Sequence, residues 1–168
     1  MDILVATTGV LPAGPVGELC GLLAGDGRGT VTVTTVVKVP RTFLDALDED
    51  DRRSLLDEAS GADPEDKAAR YLEERGQTLV DPLVSALHAY GVDPDVEFIE
   101  GDDPAEAIIA SAEKLGSDLI VMGATRRLFT EEAWKSVSVR VMESARTPVL
   151  TVPGPKIEDT MEMPPVEF

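Results

Sequence analysis

Five short runs of apolar and β-branched residues, each separated from the next by enough chain for a helix, constrain this 168-residue sequence more than any other feature. They are residues 2–8 (DILVATT), Thr30 to Val39 (TVTVTTVVKV, stopped by Pro40), Asp95 to Ile99, Asp118 to Met122 (DLIVM) and Pro148 to Val152. Consecutive parallel strands need a crossover of about a dozen residues or more, normally a helix. The right-handedness of that crossover places helices on both faces of the sheet. DLIVM is apolar enough to be covered on both faces, as central parallel strands are. The expected fold is therefore α/β, a Rossmann-like doubly wound five-stranded parallel sheet. Such sheets bind ligands beyond the carboxyl ends of their strands, which directs attention to ATTGV after the first strand and GATRR after the fourth.

The gaps between the strands read as helices with recognisable ends. Gly9, Pro12, Gly14 and Pro15 mark a turn before the helical stretch GELCGLLAG. Residues 41–64 are acidic and weakly helical and read as a solvated insertion. Leu72, Leu79, Val80, Leu83 and Leu87 then recur at helical spacing, and Pro82 is expected to kink or restart that helix because proline removes a backbone donor. In GDDPAEAIIASAEKLG, Asp103 can cap, Pro104 suits the first helical position, and Glu106 stands where a capping-box carboxylate reaches back. Ile108, Ile109, Ala112 and Leu115 give that helix one apolar stripe, and Trp134, Val137, Val141 and Ala145 do the same for the last one. Residues 1–153 thus form one domain, and 154–168, rich in Pro and Glu, form a tail.

Charge excludes whole classes of partner. With 32 Asp and Glu against 15 Lys and Arg, the net charge is -17, and nucleic acid and anionic membrane surfaces both demand the opposite sign. The acids are spread along the chain, as in DALDEDD (Asp45 to Asp51), a balance that resembles proteins of salt-loving microbes. No apolar run approaches the ~20 residues of a membrane span. Met1-Asp2 leads straight into a β-like run without the pattern of a secretion signal, so a cytoplasmic location is expected. Cys20 is the sole cysteine and His88 the sole histidine, so neither a disulfide nor a Cys/His metal cluster is available, and both residues read as structural. The carboxylate runs read as surface and no metal is expected. No nucleophile elbow, Walker loop or His-containing constellation is present, so no enzymatic activity is expected.

GDDPAEAIIASAEKLGSDLIVMGA followed by SVSVRVMESARTPVLTVP closely resembles the carboxyl half of the universal stress protein family, and ILVATTG resembles its start. The resemblance implies a sheet ordered 3-2-1-4-5 and a cytoplasmic stress-response or regulatory role. Many members bind ATP or AMP through a pattern Gly-x2-Gly-x9-Gly-Ser/Thr, in which backbone amides and a helix amino terminus hold phosphates. An Asp after the first strand contacts ribose. Carried over position by position, the first glycine is Gly123 and the final hydroxyl Ser136, while the second glycine is replaced by Arg126 and the third by Lys135. The loop is one residue shorter than the pattern. The Asp position is Thr8, next to a retained Gly9, and Val37 at the end of the second strand completes the implied pocket.

These departures imply no ATP binding of the usual kind, since Arg side chains crowd a tight phosphate loop and Thr8 lacks the paired acceptors a ribose diol favours. Two readings of the basic loop stay open. Arg126, Arg127, Lys135 and Arg140 outnumber Glu131 and Glu132 between Gly123 and Arg140, so Arg forks could clamp AMP, ATP or another anion in a remodelled pocket. Alternatively, the arginines pair with local Glu or with the acidic insertion and close the crevice. The family resemblance also implies a homodimer through the strand Thr147 to Val152. That strand would be last in the sheet, with an unpaired edge and no charge between Arg146 and Lys156.

Overall fold

The computed structural model describes residues 1–42, 64–124 and 136–154. Nine elements follow one another in these segments: β1 (Ile3–Ala6), α1 (Ala13–Ala24), β2 (Val31–Val37), α2 (Pro64–Ala89), β3 (Asp95–Glu100), α3 (Pro104–Leu115), β4 (Leu119–Ala124), α4 (Val137–Ser144) and β5 (Val149–Pro153). The strands form one parallel sheet in the order β3-β2-β1-β4-β5. The chain starts at the centre, winds outward to β3, then crosses back to β4. Strand order therefore reverses between β1 and β4, and the last residue of β1, Ala6, is in register with Met122 of β4.

The two-residue period of the strands sorts their side chains between two cores. Ile3, Val5, Val31, Val33 and Val121 meet Val16 and Cys20 of α1 and Val80, Leu83 and Leu87 of α2. Leu4, Ala6, Ile120 and Met122 meet Ala105, Ile108 and Ala112 of α3 and Val141 of α4. Cys20 has no exposed surface, and burial pushes its thiol up to about 11.

Two local expectations are adjusted: the start of α1, and the alternative that α2 restarts at Pro82. Helix α1 begins at Ala13, so Gly14 and Pro15 lie in its first turn instead of in the preceding loop; the first turn tolerates proline because its amides have no intrahelical partner. Helix α2 runs from Pro64 to Ala89 without a break at Pro82. Pro82 sits on the exposed side of the helix, as does Thr78 one turn before it, so the carbonyl that loses its donor faces water. Helix α2 also lies close on β3: a Cβ added at Gly76 would fall 2.7 Å from Phe98 Cγ.

Residues 43–63, with most of the acidic insertion expected over 41–64, lie outside the described residues, as do 125–135 and 155–168, the latter holding all of the expected tail but Gly154. The insertion's two flanks are joined. Arg41 donates to Glu65 at 2.7 Å and holds both carboxylate oxygens of Glu100 at 2.8 Å. Among the described residues no helix is long and apolar enough to cross a membrane.

Candidate functional site

A cavity of 440 Å³ opens where the strand order reverses, at the carboxyl ends of β1, β2 and β4. Its walls are the end of β1 and the following loop (Ala6 to Thr8, Val10 to Pro12), the end of β2 (Thr34 to Val36) and the end of β4 (Met122 to Ala124). The first two turns of α3 contribute Pro104 and Ile108, and the first turn of α4 contributes Val137 and Ser138.

Backbone bonds fix the lip. Thr7 N–H donates to Thr34 O at 3.0 Å, carrying the β1–β2 ladder one residue past β1, and Gly9 N–H donates to Thr7 Oγ1 at 3.0 Å, which turns the chain toward α1. Gly9 adopts φ +89°, which favours glycine, and an added Cβ would lie 3.1 Å from Leu79 Cδ2 of α2, close enough that this side chain would have to shift slightly. At Gly123 an added Cβ would meet Leu11 Cδ1 at 3.5 Å, an ordinary contact. The described neighbours do not demand glycine there; its effect is to leave room at the lip.

Among the described residues the cavity wall carries no charged side chain. Its polar groups are hydroxyls. Thr34 Oγ1 donates to Glu97 O at 3.0 Å, whereas Thr35 Oγ1, in a residue only 1% exposed, has no hydrogen-bond partner among the described residues. An unpaired buried hydroxyl costs about 1–3 kcal/mol, so Thr35 is a place where a bound molecule could gain.

Asp103, next to the wall residue Pro104, is already engaged. Asp103 caps α3, its Oδ1 accepting from Ala105 N at 3.1 Å and Glu106 N at 3.2 Å, and Arg140 of α4 grips the same carboxylate through Nη1 at 2.9 Å and Nη2 at 2.6 Å. The Arg140 hydrogen bonds, ahead of the capping amides, hold the Asp103 carboxyl below the usual range, and Asp103 in turn raises Arg140. Arg140 therefore pairs with a helix cap, a partner different from the local Glu residues or acidic insertion expected for it.

Of the residues singled out in the sequence, Thr8 and Gly123 line this cavity together. Gly9 shapes the lip from behind. Val37 is buried in register with Glu100, and the wall at that strand end is Val36. Ser136 caps α4, its Oγ accepting from Val139 N at 3.3 Å, and the hydroxyl-bearing residue of that helix on the cavity is Ser138. Arg126, Arg127, Lys135 and Trp134 lie outside the described residues. Thr35, Val36 and Ser138 were missed by sequence reasoning; the alternation within TVTVTTVVKV distinguishes Val36 from Val37 but does not by itself assign Thr35 to the same cavity.

Residues 1–153 match the model of the Universal stress protein family. The chain belongs to that family. Universal stress protein MJ0531 of Methanocaldococcus jannaschii is 40% identical over 91 residues, covering 54% of this chain and 53% of that protein, so the chain spans about half the length of this curated relative. Solved structures share the fold at lower identity. Hypothetical protein MJ0577 superposes with a TM-score of 0.60 at 17% identity, covering 92% of this chain and 96% of the other. A universal stress protein in complex with cAMP gives 0.54 at 18%, covering 90% and 95%. The universal stress protein of Archaeoglobus fulgidus in complex with dAMP gives 0.52 at 18%, covering 90% and 96%. Within this universal stress protein, the cavity is the meeting place of the first-strand loop and the start of the GATRR loop.

Proposed function

We propose that this universal stress protein is a non-enzymatic, cytoplasmic stress-response factor that acts as a dimer and does not hold ATP through the family's glycine-rich pattern. The observation that carries the reading is a cavity wall that is neutral among the described residues, with Thr8 at the lip where the pattern has an Asp and Arg140 committed to Asp103. Dimerisation through β5 is supported by its position at the sheet edge and by Leu150, which is 38% exposed on it. Titration calorimetry of the purified chain with ATP and AMP tests the proposal. It expects affinities weaker than millimolar, and a micromolar affinity for either would reject it.

A second reading has a specific observation behind it. Related folds have been solved with cAMP and dAMP, and the present cavity is of a size that suits a small molecule, within the ~300–1,000 Å³ usual for such sites. In that reading Arg126, Arg127 and Lys135 supply side-chain charge in place of backbone amides, and the same calorimetry returns micromolar values that weaken steeply with salt.

A further inference from the structure

We propose that the cavity beyond β1, β2 and β4 takes an uncharged, mainly apolar small molecule that carries one carbonyl- or amide-like group. This rests on the reading above, that the cavity is the functional site and does not serve a nucleotide phosphate.

Three observations point the same way. First, the described wall is aliphatic wherever it is not hydroxyl, with Val10, Leu11, Val36, Ile108, Met122 and Val137 as its apolar surface. A charged group seated against such a wall loses its hydration and finds no counter-ion among the described residues, a penalty that a neutral molecule avoids. Secondly, Asp103, beside the wall residue Pro104, is closed on Arg140: both terminal nitrogens of Arg140 lie on its carboxylate, so neither member of this pair is offered to a ligand. The net charge of -17 adds a long-range field that disfavours anions. Thirdly, Thr35 is a buried, cavity-lining residue whose hydroxyl is unpartnered among the described residues, and a hydroxyl can donate to a carbonyl or accept from an amide without any charge on the ligand.

The test uses the full chain and two pairs of probes: benzamide against benzoate, which keep shape and change charge, and adenosine against AMP, which differ by the phosphate. Ligand-observed NMR detects binding and calorimetry ranks it. The neutral member of each pair is expected to bind at least about tenfold more tightly than its charged partner, a difference of about 1.4 kcal/mol. Thr35→Val should weaken the neutral probes by about fivefold, the loss of one hydrogen bond, without lowering the unfolding midpoint, and Thr35→Ser should retain their binding. Equal or tighter binding of benzoate or AMP would overturn the inference, as would an unchanged affinity in Thr35→Val. Failure of all four probes to bind would also overturn it while leaving the proposed function standing, whereas micromolar AMP would sink both.

Discussion

Asp103 and Arg140, 37 residues apart, share a two-point contact in which the same carboxylate that caps α3 also ties down the first turn of α4. Pro104 beside the one and Val137 and Ser138 near the other are cavity walls, so this clasp sets the spacing of one side of the site.

The clasp makes a prediction about pH. Because Arg140 depresses the folded-state pKa of Asp103, its stabilising contribution is complete above the unfolded carboxyl value near ~3.9 and is lost as pH falls through the lower folded value. Asp103→Asn keeps a capping side chain but removes the charge. The gap between its thermal midpoint and that of the unsubstituted protein should be widest at neutral pH and shrink as pH is taken below ~4. A gap independent of pH would mean the pair contributes nothing. Asp103→Ala, which removes cap and pair together, should be less stable than Arg140→Ala.

Self-association should respond differently to proline at two adjacent positions of β5. Ile120 N–H donates to Pro148 O at 2.9 Å, and in a parallel ladder the same residue accepts its return bond two positions along, from Leu150. The amide of Leu150 thus faces β4, and that of Thr151 faces outward. Light scattering is expected to give a dimer for the unsubstituted chain and a monomer for Thr151→Pro, with little change in thermal midpoint. Leu150→Pro should instead lower the midpoint, because it breaks the internal ladder. A dimeric Thr151→Pro protein would place the interface elsewhere.

Salt should stabilise the protein. Exposed pairs such as Lys38–Asp102, at 3.0 Å, are weakened by salt, but each contributes little. Repulsion among 32 acids facing 15 bases acts over the whole surface. Raising KCl from about 0.1 M to 1 M shortens the Debye length from ~10 to ~3 Å, so the thermal midpoint should climb through this range. A flat or falling midpoint would remove the support for a high-salt habitat.

Gly76→Ala tests how closely α2 lies on β3. Alanine gains about 1 kcal/mol of helix propensity over glycine, yet its Cβ would press into the ring of Phe98 at Cγ as well as at the ring edge. Overpacking of this kind costs about 1–3 kcal/mol, so a net loss of up to about 2 kcal/mol is expected in urea unfolding. Adding Phe98→Leu should recover part of it. If Gly76→Ala alone is stabilising, the helix has room to lift from the sheet.

Much of this protein is determined locally and is therefore readable from its residues alone. Five runs of β-branched and apolar residues, with gaps of helical length, leave few arrangements other than a doubly wound parallel sheet, and β1 to β5 stand where those runs stand. The cap at Asp103 was equally legible, because a capping side chain reaches only two or three residues ahead. The placement of Thr8 and Gly123 at one cavity followed from the position of strand ends in such a sheet.

Tertiary structure decided what depends on phase and on distant partners. Whether Val36 or Val37 faces the cavity turns on a single step of strand parity, and whether Ser136 or Ser138 does turns on where α4 begins. Pro82 leaves α2 unbroken because packing turned its face of the helix to water, where the freed carbonyl is hydrated. Nothing near Arg140 in the chain announces Asp103, since their pairing requires α3 and α4 to lie side by side on the same face of the sheet. Local pattern carries the fold because secondary structure is a short-range property; the chemistry of the cavity lies in contacts between residues far apart in the chain, which only the packed molecule brings together.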